Sequence, residues 1–545
     1  MIIDALSLQD KITIKTDVCI VGAGVAGISL AHEFRNEPFR VCVLESGGFQ
    51  QDYETQSLAC GKSVGHPYYP LETTRARCFG GSSHRWLLEL GENRIGARLR
   101  PLDTVDFEKR DWIPYSGWPF PKTHLDSYYS RAQVTCQIGP YTYEADDWED
   151  PQRTPRLPFL NSRIRTTMFQ CVPRDVFINH YREKIQRSEN ITTYLHSIVE
   201  NIETNDETQR VSSLRVRVLG KKSFWVSAKI FVLALGGIET PRLLLLSNRT
   251  HRDGLGNQND LVGRFFMEHP HLWSGYYFPL DPHVFHTTGL YRLHTVRNTA
   301  VMGALALSED VLRSEKLLNY CVALHPSPLV PTPSIRANAT KSLDHVHQVC
   351  SSVCRGDIPD FSRHLSTLFP VLNDMSIGLY RKFMRSFHAL LGSRKFQVFR
   401  LNHMSEQVPN SQSRVSLSDE RDAFGQPRVK LDWQLSPTDV HTIVRAQQII
   451  DEELRHAGLG RLQIDLQTGA PPPELHGGWH HMGTTRMHVD SKMGVVNENA
   501  QVHEISNLFI SGPSLFPTSG CANPTLTIVA LAIRLGDHVK TLMNS

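Results

Sequence analysis

The sequence contains neither a long hydrophobic run nor a strong excess of charge of one sign. Of its 545 residues, 40% are hydrophobic and 21% are charged, and the formal net charge is only +3. The longest apolar stretches, residues 230–235 and 526–533, are far shorter than the roughly 20 residues that a membrane-spanning helix needs. Lysine and arginine form no block, so nothing indicates a nucleic acid as partner. We therefore expect a soluble globular protein with no membrane span.

The sequence also lacks a disulfide framework and a secretory leader. Its ten cysteines show no paired spacing, and Cys19 and Cys42 lie in predicted buried strands, where a thiol behaves as a small hydrophobic group. Residues 1–15 include charged residues such as Asp4 and contain no long apolar region. These features predict a protein of the reducing cytoplasm.

One cluster of histidines and cysteines, residues 345–354, suggests a metal site at first sight. On a helix, His347, Cys350 and Cys354 would share one face, which could hold zinc. The spacing is not that of a standard structural site, and cysteines at positions i and i+4 often face a core. We therefore predict that no metal is bound.

The chain is too long for one compact core, so two domains are expected. Buried apolar strands near the N-terminus and at residues 229–237 are typical of a parallel sheet. Residues 278–473 differ, with proline clusters, further strands and a long helix predicted over 438–456. The prediction is an α/β protein with a discontinuous Rossmann-like nucleotide-binding domain (1–100, 190–277 and 475–545) and an inserted α+β domain with an antiparallel sheet plus helices (101–189 and 278–474).

Residues 16–31 predict a strand, a tight turn and a helix that together bind a dinucleotide. Gly22 allows the turn, Gly24 lets a pyrophosphate approach the backbone, and Gly27 lets the helix pack on the strand. The phosphates would lie at the helix N-terminus, where free N–H groups attract anions. A second predicted strand ends at Glu45, where a carboxylate can accept hydrogen bonds from ribose hydroxyls.

The segment near the C-terminus contains two adjacent histidines, His480 and His481, and the predicted start of a helix. Asn523 follows His480 by 43 positions and is predicted to be the N-cap of a buried helix, with Pro524 at its first position. The positive end of that helix would stabilise a ring that gains negative charge. His480 and His481 compete for a place beside such a ring.

Five segments follow one another along the chain: Gly22-x-Gly24-x-x-Gly27 with Glu45, Gly80-Gly81-Ser82-Ser83, Gly236-Gly237-Ile238-Glu239-Thr240-Pro241, His480-x-x-Gly483-Thr484 and Asn523-Pro524-Thr525. In this order they resemble the glucose–methanol–choline (GMC) family of FAD-dependent oxidoreductases. The sequence near residues 263–270 and 406–410 is most similar to the branch that oxidises sugars and polyols, including the pyranose oxidases.

The resemblance implies that FAD oxidises an alcohol, with the hydride passing to flavin N5 and the O–H proton to a histidine. The motif selects His480 as this general base, three residues before the Gly-Thr pair, whereas His481 would point away. A neutral imidazole suits the task because its pKa lies near physiological pH. Asn523 would donate a hydrogen bond to the substrate oxygen.

Further residues are implied as contacts of the cofactor. Arg77 and Arg85 can be read as phosphate ligands or as surface arginines. Because Arg85 takes the place where some relatives carry a flavin-linking histidine, and His84 stands one place earlier, we predict non-covalent FAD. The implied cofactor contacts are Gly22, Gly24, Gly27, Glu45, Arg77, Gly81, Ser82, Ser83, Val199, Gly512, Pro524 and Thr525.

The substrate is expected to be a small alcohol, a sugar or glycoside above all, with oxygen, a quinone or a protein as electron acceptor. His403, Glu406 and Gln407 could line the sugar pocket, or they could be polar residues at the end of a strand. A lyase on the same fold, a non-sugar alcohol as substrate, or a binding protein with a vestigial nucleotide fold remain alternatives.

Overall fold

The computed structural model describes residues 1–205, 209–220, 222–327 and 396–544. The α/β class predicted from the sequence is confirmed, since a parallel sheet and a large antiparallel sheet are both present. The histidine and cysteine cluster at 345–354, where no metal is expected, lies outside the described residues. Within the described residues, no group of three histidine, cysteine or acidic side chains is placed to hold a metal ion.

Short strands dominate the described part of the chain. In chain order they are β1 Ile2–Asp4, β2 Thr13–Lys15, β3 Val18–Val21, β4 Val41–Leu44, β5 Gly61–Gly65, β6 Leu88–Gly91, β7 Arg94–Leu99, β8 Ile164–Pro173, β9 Ile191–Leu195, β10 Ile198–Asn205, β11 Arg210–Arg217, β12 Ser223–Ser227, β13 Ile230–Leu233, β14 His271–Pro279, β15 His294–Val296, β16 Thr299–Leu307, β17 Tyr320–Ser327, β18 Val398–Ser405, β19 Arg414–Arg421, β20 Pro427–Trp433, β21 Gly460–Gln463 and β22 Leu508–Ile510.

The α-helices are fewer, and two of them are long. They are α1 Val25–Glu33, α2 Tyr53–Ser57, α3 Thr104–Phe107, α4 Asp126–Cys136, α5 Tyr181–Gln186, α6 Gly236–Leu246, α7 Val284–Thr287, α8 Glu309–Ser314, α9 Pro437–His456 and α10 Thr525–Asn544. Of these, α9 begins with a capping box, in which the Ser436 and Asp439 side chains each bond the other's backbone N–H.

Six parallel strands form the central sheet, in the order β1–β9–β4–β3–β13–β22. Strands β3, β4 and β13 are buried along their whole length, as expected for a parallel sheet covered on both faces. Helices α1 and α10 pack together in the same hydrophobic core as these strands. The sheet therefore brings the glycine-rich turn after β3 close to the start of α10.

The largest sheet is antiparallel and has the order β21–β14–β18–β17–β16–β8–β7–β6, with β15 paired to β16. A second hydrophobic core joins this sheet to α9. Two smaller sheets, β10–β11–β12–β2 and β19–β20–β5, complete the described fold. Strands β7 and β14 of the antiparallel sheet come from residues 94–99 and 271–279, so strand pairing crosses the predicted boundaries, and the domain division stays a prediction.

The helix predicted to begin at Pro524 begins one residue later. Helix α10 begins at Thr525, because the carbonyl of Pro524 accepts the first helical hydrogen bond, and Asn523 is therefore not its cap. Helix α6 begins at Gly236. No helix among the described residues is both long and apolar enough to cross a bilayer.

The glycines of the first turn are required for different physical reasons. Gly22 has φ +103°, which favours glycine, and a Cβ there would lie 2.6 Å from the carbonyl oxygen of Ala234. A Cβ on Gly27 would lie 1.9 Å from the carbonyl oxygen of Gly22, so α1 can approach β3 only without one. At Gly24 the nearest atom to such a Cβ is 3.9 Å away.

We predict that Gly27→Ala destabilises the protein strongly and that Gly24→Ala does not. In the first variant α1 must move off the sheet, which costs on the order of 3 kcal/mol. In the second variant, the added methyl group makes only an ordinary van der Waals contact at 3.9 Å, and φ is −82°, so no strain arises. Thermal unfolding of the two apoproteins checks this, and equal melting temperatures would contradict it.

Candidate active site

A cavity of about 740 Å³ lies between the parallel sheet and the antiparallel sheet, and we call it the site cavity. This size is in the range of cofactor and ligand cavities. Its wall includes most of the residues predicted from the sequence as contacts of a cofactor or as catalytic residues. They are Gly22, Gly24, Glu45, Arg77, Gly81, Ser82, Ser83, Val199, His480, Asn523, Pro524 and Thr525.

Two glycine-rich segments meet at one end of the cavity. Gly24 and Gly81 both line it, and a Cβ on Gly81 would lie 2.8 Å from the Cα of Gly24. The N-terminus of α1 begins directly after Gly24, so its free N–H groups face the same end. This arrangement can bind a pyrophosphate without any cationic side chain. Gly27 and Gly512 are not among the lining residues, and Gly27 instead serves the packing of α1.

Glu45 lies buried at the end of β4, as predicted, and its carboxylate organises the turn. Its Oε2 accepts the N–H of Ala23 at 2.9 Å, and its Oε1 accepts the N–H of Gly47 at 3.0 Å and the hydroxyl of Ser46 at 3.1 Å. Burial raises the pKa of Glu45, while these hydrogen bonds and the nearby Arg77 lower it. The carboxylate lines the cavity and retains lone pairs for a further donor.

Of the two arginines read as phosphate ligands or surface residues, Arg85 is buried and the Arg77 side chain is only 11% exposed, so reading them as surface residues is wrong. Arg77 and Arg75 each pair with Glu239 of α6, at 2.6 and 2.7 Å. Arg85 lies against the carbonyl oxygens of Glu72 and Arg75, at 3.5 and 3.3 Å. Both Arg77 and Arg85 also line the cavity.

His84 is oriented away from the cavity. Its Nε2 lies 3.0 Å from the carbonyl oxygen of Phe79, and the residue is not among those that line the cavity. Its neighbours Ser83 and Arg85 do line it. The loop therefore presents a hydroxyl and a guanidinium to the cavity, and no imidazole from this position.

His480 and Asn523 meet at the other end of the cavity. The Nδ2 of Asn523 lies 3.2 Å from the Nε2 of His480, and both residues line the cavity. Burial, followed by the nearby His269, His271, His481 and Arg98, lowers the pKa of His480 well below its usual value. The imidazole is therefore neutral at physiological pH and can accept a proton.

The main chain of His480 is held by a buried carboxylate that the sequence prediction missed. Oε2 of Glu268 accepts the N–H groups of His480 at 2.8 Å, Gly478 at 3.0 Å and His269 at 3.2 Å. Its other oxygen accepts the hydroxyl of Tyr68. Burial raises the pKa of Glu268 to about 7, although every one of these bonds lowers it.

The adjacent His481 was expected to point away, yet it also lines the cavity, and its ring turns to a different partner. Its Nε2 lies 2.9 Å from the hydroxyl oxygen of Tyr68, which itself donates to Glu268. Burial lowers the pKa of His481 to about 3. Of the two adjacent histidines, His480 is the one whose ring meets Asn523.

The structure places the three predicted substrate residues elsewhere. His403, Glu406 and Gln407 are fully buried and are not among the described residues that line the cavity. His403 bonds the Ser274 carbonyl, Glu406 forms a two-bond ion pair with a buried arginine, and Gln407 accepts the N–H of Glu268. These residues therefore support the fold around the site and do not form its wall.

Asn402 lines the cavity where His403 does not. Side chains alternate between the two faces of a strand, so the prediction was wrong by one residue. Trp273 pairs with Asn402 across the sheet, and His271 lies on the same face of β14. Strand geometry says which side chains share a face, but not which of the two faces meets the cavity.

Several polar atoms on this wall have no hydrogen-bond partner among the described residues. They are the Nε2 of His271, the Oδ1 of Asn402, the Nε1 of Trp479 and the Oδ1 of Asn523. Buried polar atoms of this kind are costly unless something pairs with them. The wall therefore offers two acceptors, one indole donor and one imidazole nitrogen to a ligand with several hydroxyl groups.

An aromatic surface lies beside these atoms. The ring of Trp273 lies 4.7 Å from that of His325, and the guanidinium of Arg400 lies 4.9 Å from the Trp273 ring centre. These contacts fix the indole in one orientation. Trp273 and His325 both line the cavity, so an apolar face is available next to the unpaired polar atoms.

Two domain profiles match the chain. The profile described as FAD dependent oxidoreductase matches residues 17–251, and the C-terminal profile described as GMC oxidoreductase matches residues 409–532. The first region contains the glycine-rich turn and the second contains His480 and Asn523.

Characterised relatives are similar over part of their length. The 2-methyl-1,2-propanediol dehydrogenase of Mycolicibacterium austroafricanum is 28% identical over 356 residues, 63% of this chain and 53% of that protein. The fructose dehydrogenase large subunit of Gluconobacter japonicus is 26% identical over 349 residues, with the same two shares. A C-glycoside 3-oxidase of Microbacterium trichothecenolyticum is 35% identical over 129 residues, 23% of this chain and 24% of that protein. The chain thus matches about half the length of the first two relatives.

Solved structures share the fold. A crystal structure of formate oxidase has a TM-score of 0.55 at 14% identity, covering 98% of this chain and 100% of that one. A formate oxidase variant of Aspergillus oryzae has a TM-score of 0.52, also at 14% identity and with the same coverage. At this identity the likeness shows the fold alone. Along its length the chain thus carries an FAD-dependent oxidoreductase domain, followed by a C-terminal domain of the GMC oxidoreductases.

Proposed function

We propose that this protein uses FAD to oxidise a CH–OH group of a sugar, glycoside or polyol to a carbonyl, with His480 as the general base. One observation carries the proposal. The neutral His480 and Asn523 meet at one end of a cavity whose other end is a dinucleotide-binding turn with Glu45. A base and a redox cofactor would thus share one enclosed space.

The residues present fit FAD. Gly24 and the N-terminus of α1 would hold the pyrophosphate, Glu45 the ribose hydroxyls, and Pro524 and Thr525 the ring. FAD supplies the ring that accepts the hydride. We propose that it is bound non-covalently, since His84 bonds a main-chain carbonyl and does not line the cavity.

The protein's own part in the reaction is to remove the hydroxyl proton and to position the alcohol. Nε2 of His480 faces the cavity beside Asn523 and can take the proton of a substrate hydroxyl that replaces the Asn523 amide at its lone pair. Asn523 has an amide that donates to His480 and an unpaired oxygen, so it can contact the substrate as well. The N-terminus of α10, next to Asn523, stabilises negative charge at this end of the cavity.

The wall opposite α10 supports a substrate with several hydroxyl groups. The unpaired atoms of His271, Asn402 and Trp479 need partners that a polyol supplies and a simple alkyl alcohol does not. The indole of Trp273 offers a flat surface for the C–H face of a sugar ring. Two of the relatives are named for sugar-type substrates and one for a diol, which agrees with this class.

We expect His480→Ala to keep FAD and to slow anaerobic flavin reduction by about 10²- to 10⁴-fold, the usual contribution of a general base. His84→Ala is the matched control, because this histidine is in the FAD-binding domain but does not line the cavity. Flavin bleaching with a panel of sugars, glycosides and alcohols, followed in a stopped-flow instrument, measures both rates. Wild-type reduction rates in His480→Ala would reject His480 as the base. No bleaching with any alcohol would favour a lyase.

The reduction rate should stay constant as the pH falls to 6.5 and decline only below that value. The base must be unprotonated, and its pKa is lowered, so the neutral form persists to lower pH than for a free histidine. Stopped-flow reduction between about pH 5 and 9 checks this. Glu268→Gln, which cannot titrate, should leave the position of the acid limb unchanged. If the limb moves with this variant, Glu268 is the group being observed.

Gly24→Ala should fold normally and lose FAD. Its methyl group would meet no protein atom closer than 3.9 Å and would therefore occupy space in the cavity where the pyrophosphate is proposed to lie. We expect the dissociation constant for FAD to rise by about 10- to 100-fold, as overpacking by one methyl group predicts. Titration of the apoprotein with FAD measures it, and unchanged affinity would place the phosphates elsewhere.

A further inference from the structure

His269 and His480 meet through atoms of the same kind. Their Nδ1 atoms are 2.8 Å apart, and the two rings are nearly perpendicular at 78°. At this distance the contact is a hydrogen bond, so one Nδ1 must carry a hydrogen and the other must carry a lone pair. Which of them is the donor decides what the Nε2 of His480 can do.

The other nitrogen of His269 settles the direction of this bond. Its Nε2 lies 3.3 Å from the carbonyl oxygen of Ser519, which can only accept, so Nε2 carries the hydrogen. His269 is fully buried, and burial lowers its pKa to about 4, so its imidazole is neutral and has only one N–H. Its Nδ1 is therefore the acceptor, and His480 Nδ1 is the donor.

We infer that His269 is a positioning residue that holds His480 in the tautomer with the hydrogen on Nδ1 and the lone pair on Nε2. The Nε2 of His480 is the atom that faces Asn523, whose Nδ2 donates to it at 3.2 Å. The role of this lone pair in catalysis rests on the proposed function. The tautomer itself does not.

The same bond supports the charged state that proton removal creates. When the substrate O–H bond breaks and its proton forms an N–H bond at Nε2, His480 becomes an imidazolium with hydrogens on both nitrogens. Its Nδ1–H still donates to His269, which stabilises the cation. The other titratable or charged groups around His480 are His271, His481, Arg98 and Glu268.

Glu268 aligns the two histidines by their main chains. One carboxylate oxygen accepts the N–H groups of both His480 and His269. Close packing of the loop requires Gly478, since a Cβ there would lie 3.0 Å from the Nδ1 of His480 and 2.7 Å from the Nε2 of His271. The contact between the two imidazole rings is therefore held by the hydrogen bonds of Glu268 to both main chains and by the close packing at Gly478.

Two substitutions separate tautomer control from simple packing. His269→Leu fills the space with an apolar side chain and removes the Nδ1 acceptor. His269→Asn places an amide oxygen near the former Nδ1 and restores an acceptor for His480. His403→Leu is the matched control, because this histidine is equally buried and its Nε2 also bonds a main-chain carbonyl, yet its Nδ1 meets the Tyr320 hydroxyl and not His480.

The readouts are made on the FAD-loaded protein. We expect His269→Leu to slow flavin reduction by about 10²-fold with little change in substrate dissociation constant, and His269→Asn to recover about tenfold of that loss. The acid limb of the pH profile should move in His269→Leu and stay in His403→Leu. Equal rates in the two His269 variants would overturn the inference, as would wild-type reduction in His269→Leu.

Nitrogen-15 NMR of histidine-labelled protein tests the tautomer without any turnover. The His480 signals, assigned by their loss in His480→Ala, should show a pyridine-type Nε2 in the wild type and a mixed state in His269→Leu. A pyrrole-type Nε2 in the wild type would overturn the inference. If the tautomer is as expected and no alcohol reduces the flavin, the proposed function fails and the inference stands.

Discussion

The site depends on one buried carboxylate. A charge taken out of water is costly unless donors surround it, and Glu268 is surrounded by three N–H groups and the Tyr68 hydroxyl. Those N–H groups belong to the segment that carries His269 and to the loop that carries His480. The carboxylate therefore fixes two distant parts of the chain to each other, and the geometry of every other group at this end of the cavity follows from that connection.

The nucleotide end of the site could be predicted from the sequence because it is built from residues that lie close together in the chain. Gly22, Gly24 and Gly27 lie within six positions, and the geometry of one turn and one helix explains all three. The position of Glu45 could be predicted because it directly follows the next strand. His480 was chosen over His481 by its spacing from a Gly-Thr pair, and the structure brings its ring to Asn523.

The remaining parts of the site depend on contacts between residues far apart in sequence. His269 reaches His480 across 211 positions, and no local pattern reports that distance. A histidine beside an acid in an otherwise apolar stretch was the available signal, since buried polar groups must find partners. His403 was predicted on the pocket wall in place of Asn402 for a different reason. The two-residue period of a strand tells which side chains share a face, but it does not tell whether that face meets the cavity. Asn523 was predicted both as a helix cap and as a donor to the substrate; it does not cap α10, and its side chain lines the cavity beside His480.

The central sheet has a consequence for how the protein is made. Strand β13 is complete once residue 233 has been synthesised, but its neighbour β22 does not exist until residue 510. At about 5–20 residues per second, one edge of β13 waits on the order of tens of seconds for its partner. The nucleotide end of the cavity can form during that wait, whereas the end with His480 and Asn523 cannot. The nascent protein thus has an open strand edge beside a half-built cofactor site until β22 has been synthesised, and an unpaired edge of this kind favours aggregation during that time.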